Sequence, residues 1–328
     1  MGASRQQVLV HAFGGPEQLA VQETDEALHM GPGELLVEVE AAGVNYLDVM
    51  QRKGTGGVQL PFRPGLEGVG RVSEIGAGVQ GGFEAGQRVA WINVPGSYAG
   101  RLAVPAAQSI RIPETFGTEQ ALLFQAVTAQ YLATEYRDVR AGDRVLVHAA
   151  AGGVGQLVVQ WLKHLGAWVV GTASSDAKAA VARAAGADAV INYGGDYQFE
   201  HELRSLTDGR GVDLAIDSVG AATFAASLRS LARRGTLVSC GSSSGPPPAI
   251  NPMDLIYPCT RVAGGAVFSY VATPEELHRR SGEVIAGIKA GWLRMPSGTV
   301  YALSDAAEAH RALEARRTQG KLYLEPTP

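Results

Sequence analysis

Residues 148–167 read HAAAGGVGQLVVQWLKHLGA, an apolar run that passes through a knot of glycines into a second apolar run. The first belongs to DRVLVHAA (143–150), short and β-branched. In the second, Leu157, Val158, Trp161, Leu162 and Leu165 recur with helical spacing. Glycine inside a regular element costs conformational entropy, so three of them at a strand-to-helix junction call for either a packing reason or a ligand. Gly152 and Gly155, with Ala150 two places before Gly152, fit the spacing of the dinucleotide fingerprint with alanine in its first position. In such a turn Gly152 lets the backbone approach a pyrophosphate and Gly155 lets helix and strand pack closely. The free N–H groups of the first helical turn then face the negative charge. A tight turn with no ligand is the alternative reading, and the pattern on either side argues against it.

Working outward, WVVGTA (168–173), DAVINY (188–193), VDLAIDSV (212–219) and TLVSCG (236–241) repeat the short apolar strand signal expected of strands buried on both faces. Helical patterns separate them: Ala180, Val181 and Ala184, then Phe224, Leu228 and Leu231. Gly166, Gly186 and Gly235 are read as the glycines that close the helices. Strict alternation of strand and helix predicts a parallel, doubly wound sheet. The N-terminal third differs. ELLVEVEAAGV alternates polar and apolar residues, and GVGRVSEIGAGV, GQRVAWINV and GRLAVPAAQSIRIP are glycine-bounded strands of a β-barrel type. The tail offers a helix in PEELHRRSGEVIAGIKAG, a strand near TVYAL, a helix in SDAAEAHRALEARR and a last strand in GKLYLEP. These predict a split catalytic domain, residues 1–125 with 265–328, around a nucleotide-binding domain at 126–264; GSSSGPPPAINP (241–252) is a loop.

The totals exclude several function classes. The chain has 328 residues, 46% hydrophobic and 18% charged, with a formal charge of −4, so it is expected to fold as two domains and shows no basic footprint for nucleic acid. Cys240 and Cys259 are too few for a disulfide framework and suit a reducing cytoplasm. No stretch reaches membrane-spanning length without charges or glycines, and the start carries no apolar leader, so a soluble protein is expected.

The end of the second strand bears on which dinucleotide is held. An acid there would bind the ribose 2′-hydroxyl of NAD, yet GTASSDAK supplies Thr172, Ala173 and Ser174. Asp176 is placed to serve as a first-turn carboxylate of the next helix instead. Lys178 and Tyr193 are read as holding a 2′-phosphate, against a solvated helix lysine and a tyrosine covering the sheet. A charged hydrogen bond of that kind contributes roughly 1.5–3 kcal/mol, about ten- to a hundredfold in favour of NADPH over NADH.

Seven segments carry a family resemblance: GVNYLDVMQRKG, PFRPGLEGVGRV, AGDRVLVHAAAGGVGQLVVQWLKHLGA, AGADAVINY, AIDSVG, SLRSLARRGTLVSCGSSSG and EARRTQGKLYL. Together they resemble the zinc-free quinone oxidoreductases of the medium-chain dehydrogenase/reductase superfamily, the zeta-crystallin-like group, over nearly the whole chain. The resemblance implies a GroES-like β-barrel-type catalytic domain, a Rossmann domain with a parallel six-stranded sheet, NADPH as cofactor and a homodimer or homotetramer. The dimer contact it implies is the Rossmann edge strand near TRVAGGAVF (260–268). Carried over position by position, cofactor contacts fall on Asn45, Thr128, the turn of Gly152, Gly153, Val154 and Gly155, and on Ser174, Lys178, Tyr193 and Ser218. They continue over Cys240, Gly241 and Ser242, the backbone of Gly264, Gly265 and Ala266, and Arg316. Thr128 also reads as an ordinary N-terminal helix residue, Cys240 as a small buried hydrophobe and Arg316 as a surface cation.

Zinc-dependent relatives place a cysteine where this chain has Asn45 and a His-Glu pair at Leu66-Glu67, and they carry a four-cysteine lobe that two cysteines cannot supply. Neither zinc site can form, and Glu67 is read as a structural carboxylate, buried or salt-bridged. The seven histidines show no HxxxH or HxH spacing and read as surface or packing residues. Without a Lewis acid, hydride delivery and positioning must suffice, which suits an electron-poor quinone or an α,β-unsaturated ketone. Asn45 is read as orienting the nicotinamide or the substrate carbonyl, or else as bonding its own loop backbone. Tyr46 is the second candidate, with a core aromatic as its alternative. Two departures matter: Met50 stands where the group commonly has a tyrosine, and KGTGGVQL lacks the proton-donating tyrosine of enoyl-thioester reductases. Alternatives to quinone reduction are an enoyl-thioester or enone reductase of a biosynthetic pathway, and a non-catalytic NADPH-binding protein of the crystallin type.

Overall fold

The computed structural model describes residues 6–24, 29–55, 57–315, 318 and 320–326. The chain divides into two compact units, Met1–Phe124 with Thr273–Ser281 and Pro296–Pro328, and Gln125–Ala272 with Gly282–Met295. Sequence reading had joined all of 265–328 to the first unit. Here 265–272 and 282–295 lie in the second, because half of the helix Pro274–Lys289 and the tryptophan that follows it pack there: Trp292 stacks on His164 and meets Trp161 edge-on.

In the first unit a seven-stranded sheet runs, in spatial order, Gly298–Ala302, Lys321–Glu325, Glu34–Val44, Glu67–Ile75, Arg88–Ile92 and Ser109–Arg111, with Arg101–Pro105 also on Glu34–Val44. Every pairing is antiparallel except that of Gly298–Ala302 with Lys321–Glu325. Register shifts at Leu36/Val37 and Val39/Ala41 bend the long central strand so that it serves partners on both sides. Its inward residues Leu35, Val37 and Val39 pack with Val72, Val89, Trp91, Leu102 and Val104. Gly68 is glycine for a steric reason: a Cβ there would lie 2.3 Å from the Trp91 ring and 3.0 Å from the Ala41 carbonyl.

Register also determines what meets at the end of that strand. Leu322 pairs with Val44 and Leu324 with Ala42, while Ala42 pairs on its other side with Gly68. One step further along these ladders, Lys321 comes level with Asn45, and Glu67 with Gly43. Residues paired across strands share a face. The C-terminal strand and the strand that opens at Glu67 thus deliver a lysine and a glutamate to the same face as Asn45.

The second unit holds six parallel strands: Arg144–Val147, Trp168–Ala173, Ala189–Asn192, Val212–Asp217, Leu231–Ser239 and Arg261–Gly264. Numbered along the chain, their spatial order is 3-2-1-4-5-6, a doubly wound sheet. Leu146, Val170, Ile191, Ala215 and Leu237 form its apolar centre. Gly166 and Gly186 end their helices in the left-handed region. Gly235 does not. The helix Phe224–Arg229 stops earlier, Leu231 already belongs to the fifth strand, and Arg234 takes the positive φ of 65°. Gly235 is instead a site of close approach, where a Cβ would lie 2.8 Å from the Val212 carbonyl. The sixth strand is shorter than the sequence suggested. It ends at Gly264, and Val267–Tyr270 is a helical turn.

Gly68→Ala should destabilise the first unit by about 1–3 kcal/mol through overpacking against Trp91, read as a lower denaturation midpoint followed by tryptophan fluorescence.

Candidate functional site

In the second unit the residues singled out from sequence, Thr128 and Arg316 aside, gather at the carboxyl ends of the parallel strands. The glycine turn follows strand one, Ser174 strand two, Tyr193 strand three, Ser218 strand four, Cys240–Ser242 strand five, and Gly265 and Ala266 follow Gly264, the last residue of strand six. That edge is where open α/β sheets bind ligands, and the strand order reverses between strands one and four, beside the turn. Thr128 is half-buried on the helix Phe124–Thr134. Arg316 lies outside the described residues.

The turn is built as its glycines require. Ala149 adopts φ 49°, and the Gly152 N–H closes the turn on the Ala149 carbonyl at 2.8 Å. Gly152 is the exposed N-cap of the helix Gly153–His164, whose last turn carries Lys163 and His164. A Cβ at Gly155 would lie 2.3 Å from the Ala149 carbonyl, so the helix can start this close to the strand only through glycine. At Gly152 a Cβ would meet only that carbonyl, at 3.2 Å, which leaves the N–H groups of the first turn open to an anion. Two contributors went unread in the sequence. Gly171 makes room for Ala150, whose Cβ would lie 2.7 Å from one on Gly171, and the Gln125 carboxamide rests against Gly153 with its buried Oε1 unpartnered among the described residues.

Beneath the turn runs a buried chain of hydrogen bonds. His148 Nδ1 meets Thr172 Oγ1 at 2.9 Å and Nε2 meets Ser227 Oγ at 2.8 Å; Ser227 in turn donates to Asp217, which also accepts from Thr223 and from the Val219 and Gly220 N–H groups. Burial lowers His148 to about 4, so the ring is neutral and its two nitrogens divide donor and acceptor roles.

At the end of strand two, Lys178 Nζ lies 3.4 Å from Ser174 Oγ, and Ser175 caps the following helix by accepting from the Lys178 N–H. Asp176 stands in that helix's first turn and accepts from Asn192 Nδ2 at 2.7 Å. Tyr193, buried, stacks on Tyr197 and donates its N–H to the Ala173 carbonyl. The Cys240 thiol is pushed up to about 12 by burial and by Asp217, far from a reactive thiolate. Gly241 packs on Ser218, where a Cβ would lie 2.7 Å from its carbonyl, and Tyr136 donates to the Gly264 carbonyl at 2.8 Å.

In the first unit, Asn45 caps the helix Tyr46–Arg52, and its N–H donates to Asp48 Oδ2 at 2.8 Å. The carboxamide turns into a buried polar set: Asn45 Nδ2 donates to Glu67 Oε1 at 2.9 Å, Lys321 Nζ donates to Asn45 Oδ1 at 3.1 Å, and Lys321 is ion-paired to Glu67. Glu67 is therefore both buried and salt-bridged, as its structural reading required. Zinc does not fit this donor set. Leu66 is apolar, the set holds no thiolate or imidazole among the described residues, and a lysine ammonium already supplies the positive charge. Tyr46 is no core aromatic, being 44% exposed. Asp48 continues inward to Tyr98, whose hydroxyl also meets His310 Nε2 at 3.1 Å. Burial raises Asp48 to about 7, against the Asn45 and Tyr98 hydrogen bonds, and lowers His310 to about 3. Sequence reading passed over this network and Lys321, although the spacing Asn45-x-x-Asp48 is a capping signal and a lysine heading the apolar strand KLYLE is out of place on a buried strand.

Known proteins show the same plan. Residues 31–114 match the Alcohol dehydrogenase GroES-like domain and 153–281 the Zinc-binding dehydrogenase family. The quinone oxidoreductase of Pseudomonas aeruginosa is 38% identical over 323 residues, 96% of this chain and 98% of that protein. A 2-haloacrylate reductase of Burkholderia is 34% identical over 97% and 98%. The crystal structure of Escherichia coli quinone oxidoreductase complexed with NADPH superposes with a TM-score of 0.92 at 35% identity, covering 98% of this chain and all of that one.

The buried imidazoles bear on acid stability. An unfolded histidine takes a proton near 6.5, whereas folded His310 does so only near 3, so its contribution is complete above about 6.5 and is lost as pH falls from there. Asp48 runs the other way, its folded form holding a proton between 3.8 and about 7. His310→Gln should therefore lose roughly 1 kcal/mol less unfolding free energy than wild type per unit between about pH 6 and pH 5, measured by urea titration.

Proposed function

The chain belongs to the zinc-free quinone oxidoreductases of the medium-chain dehydrogenase/reductase superfamily, and we propose that it uses NADPH to reduce a quinone or another electron-poor α,β-unsaturated carbonyl. The observation that carries this reading is the glycine-lined helix N-terminus at Gly152–Gly155, exposed at Gly152, a cradle that a side chain at Gly155 would distort and that suits a diphosphate. When bound, the nicotinamide supplies the hydride. Ser174 and Lys178 offer a hydroxyl and a cation for the 2′-phosphate, where an NAD site would present an acid, and Tyr193 stands at the neighbouring strand end. Ser218, Cys240–Ser242 and the backbone of Gly264–Ala266 line the same carboxyl edge and would hold the rest of the dinucleotide. Thr128 and Arg316 complete the set by resemblance.

Asn45 orients the substrate carbonyl or the nicotinamide, with Tyr46 exposed beside it. Among the described residues no cluster of side chains there could hold zinc, so the acceptor is one that hydride alone can reduce, which favours quinones and conjugated alkenes over simple ketones. The 2-haloacrylate reductase among the relatives keeps conjugated alkenes in scope. Met50 removes the nearby tyrosine, and a quinol oxygen can take its proton from water. The sixth strand, paired on one side only among the described residues, supports a homodimer formed edge to edge. Met253, Ile256 and Tyr257, exposed just before it, add apolar surface for a second copy. Cys240 and Cys259 are unpaired, and among the described residues no helix is long and apolar enough to cross a membrane; both agree with a cytoplasmic enzyme.

A screen of NADPH oxidation against quinones, enones and enoyl thioesters should show fastest turnover with a benzoquinone. Preference for crotonyl-CoA would favour the biosynthetic reductase, and tight NADPH binding without oxidation of any acceptor the crystallin-type reading. Lys178→Ala should raise the NADPH dissociation constant about tenfold or more and leave that of NADH within about twofold; equal effects would remove the 2′-phosphate assignment.

A further inference from the structure

Lys321 and Glu67 are 2% and 0% exposed, and the chain has gone to some length to bring them together. The Glu67 side chain lies across Gly43, where a Cβ would fall 2.2 Å from its Oε1, and Glu67 Oε2 accepts from the Phe124 N–H at 3.1 Å. A buried ion pair is a weak source of stability, because apolar residues of the same volume fill the space at lower desolvation cost. What it supplies here is orientation.

We propose that Lys321, together with Glu67, is a positioning residue that fixes the Asn45 carboxamide as a donor of one hydrogen bond to a carbonyl oxygen. The chemistry of the partners assigns the amide. An ammonium only donates, so the Asn45 atom 3.1 Å from Lys321 Nζ is Oδ1; an ionised carboxylate only accepts, so the atom 2.9 Å from Glu67 is Nδ2. One Nδ2 hydrogen is spent on Glu67. The other has no partner among the described residues, and Asn45 keeps 7% exposure. The Lys321 ammonium, donating to Oδ1, draws electron density from the amide and strengthens the remaining N–H as a donor. With Lys321 holding one lone pair of Oδ1 and fixing which end of the amide is oxygen, the side that remains unpaired is the Nδ2 donor. The group it meets must offer an oxygen lone pair, as a quinone, an enone or a carboxamide does. This rests on the proposed role of Asn45, which the experiment tests separately.

Lys321→Met, Asn45→Ala and the double variant are compared in NADPH-dependent benzoquinone reduction, with Glu67→Gln as a second probe should Lys321→Met fold poorly. Lys321→Met should lower kcat/KM about ten- to a hundredfold while the NADPH dissociation constant stays within about twofold. On the Asn45→Ala background it should cost less than about twofold more. In nucleotide-free protein the two Asn45 side-chain amide protons should exchange with solvent at clearly different rates by NMR. That difference should collapse in Lys321→Met and shrink in Glu67→Gln. Full additivity with Asn45→Ala, or unchanged amide exchange, would overturn the positioning role and leave the reading of Asn45 standing. An Asn45→Ala enzyme as active as wild type would remove both.

Discussion

A carboxylate placed where water cannot reach must find its positive charge and its hydrogen-bond donors inside the protein, and Glu67 imposes that demand on the first unit. Lys321 answers with an ammonium, Asn45 with an amide and Phe124 with a backbone N–H. Each partner comes from a different part of the chain. The central strand must run to Val44 before the helix begins at Tyr46, Gly43 must lack a side chain, and the C-terminal strand must pair in one register. A slip of one residue in that strand would turn Lys321 to the other face and strand the carboxylate. The polar set thus selects among pairings that the apolar residues alone would tolerate.

The second unit solves a different problem with backbone. Its anion-ready corner has little side-chain chemistry; it depends on how closely a helix can start behind a strand. Gly155, Gly171 and the left-handed Ala149 set that closeness, and the neutral His148 beneath holds the first strand to Thr172 and Ser227. Burial keeps His148 uncharged, so no fixed positive charge competes from below with the partial charges of the helix N-terminus. What the corner presents at the start of its helix, among the described residues, is backbone N–H groups.

How much of this was legible in the sequence follows from the range of each interaction. Five strands of the parallel sheet could be read because their signals are local: β-branched runs, helical spacing and the short interval from Ala150 to Gly155; the sixth came through family resemblance. Gly235 misled because glycine marks close approach as well as helix ends, and only the fold shows that Arg234 carries the turn. The division of the chain near residue 265 was hidden for a related reason, since the packing of Trp292 on His164 spans more than a hundred residues. Asn45 and Glu67 drew notice through family resemblance. Lys321 did not, because its partnership with Asn45 spans 276 positions and depends on a strand register that no local pattern encodes.

The place of the strand Lys321–Glu325, between Gly298–Ala302 and the long central strand, has a consequence for synthesis. The parallel sheet of the second unit is complete once residue 264 has left the ribosome, so it can assemble while translation continues. The first unit begins earlier and finishes last. Its oldest strands wait for the youngest, with Glu67 facing an unfilled slot throughout, and a nascent chain halted before Lys321 exposes a sheet edge to chaperones or to neighbouring polypeptides.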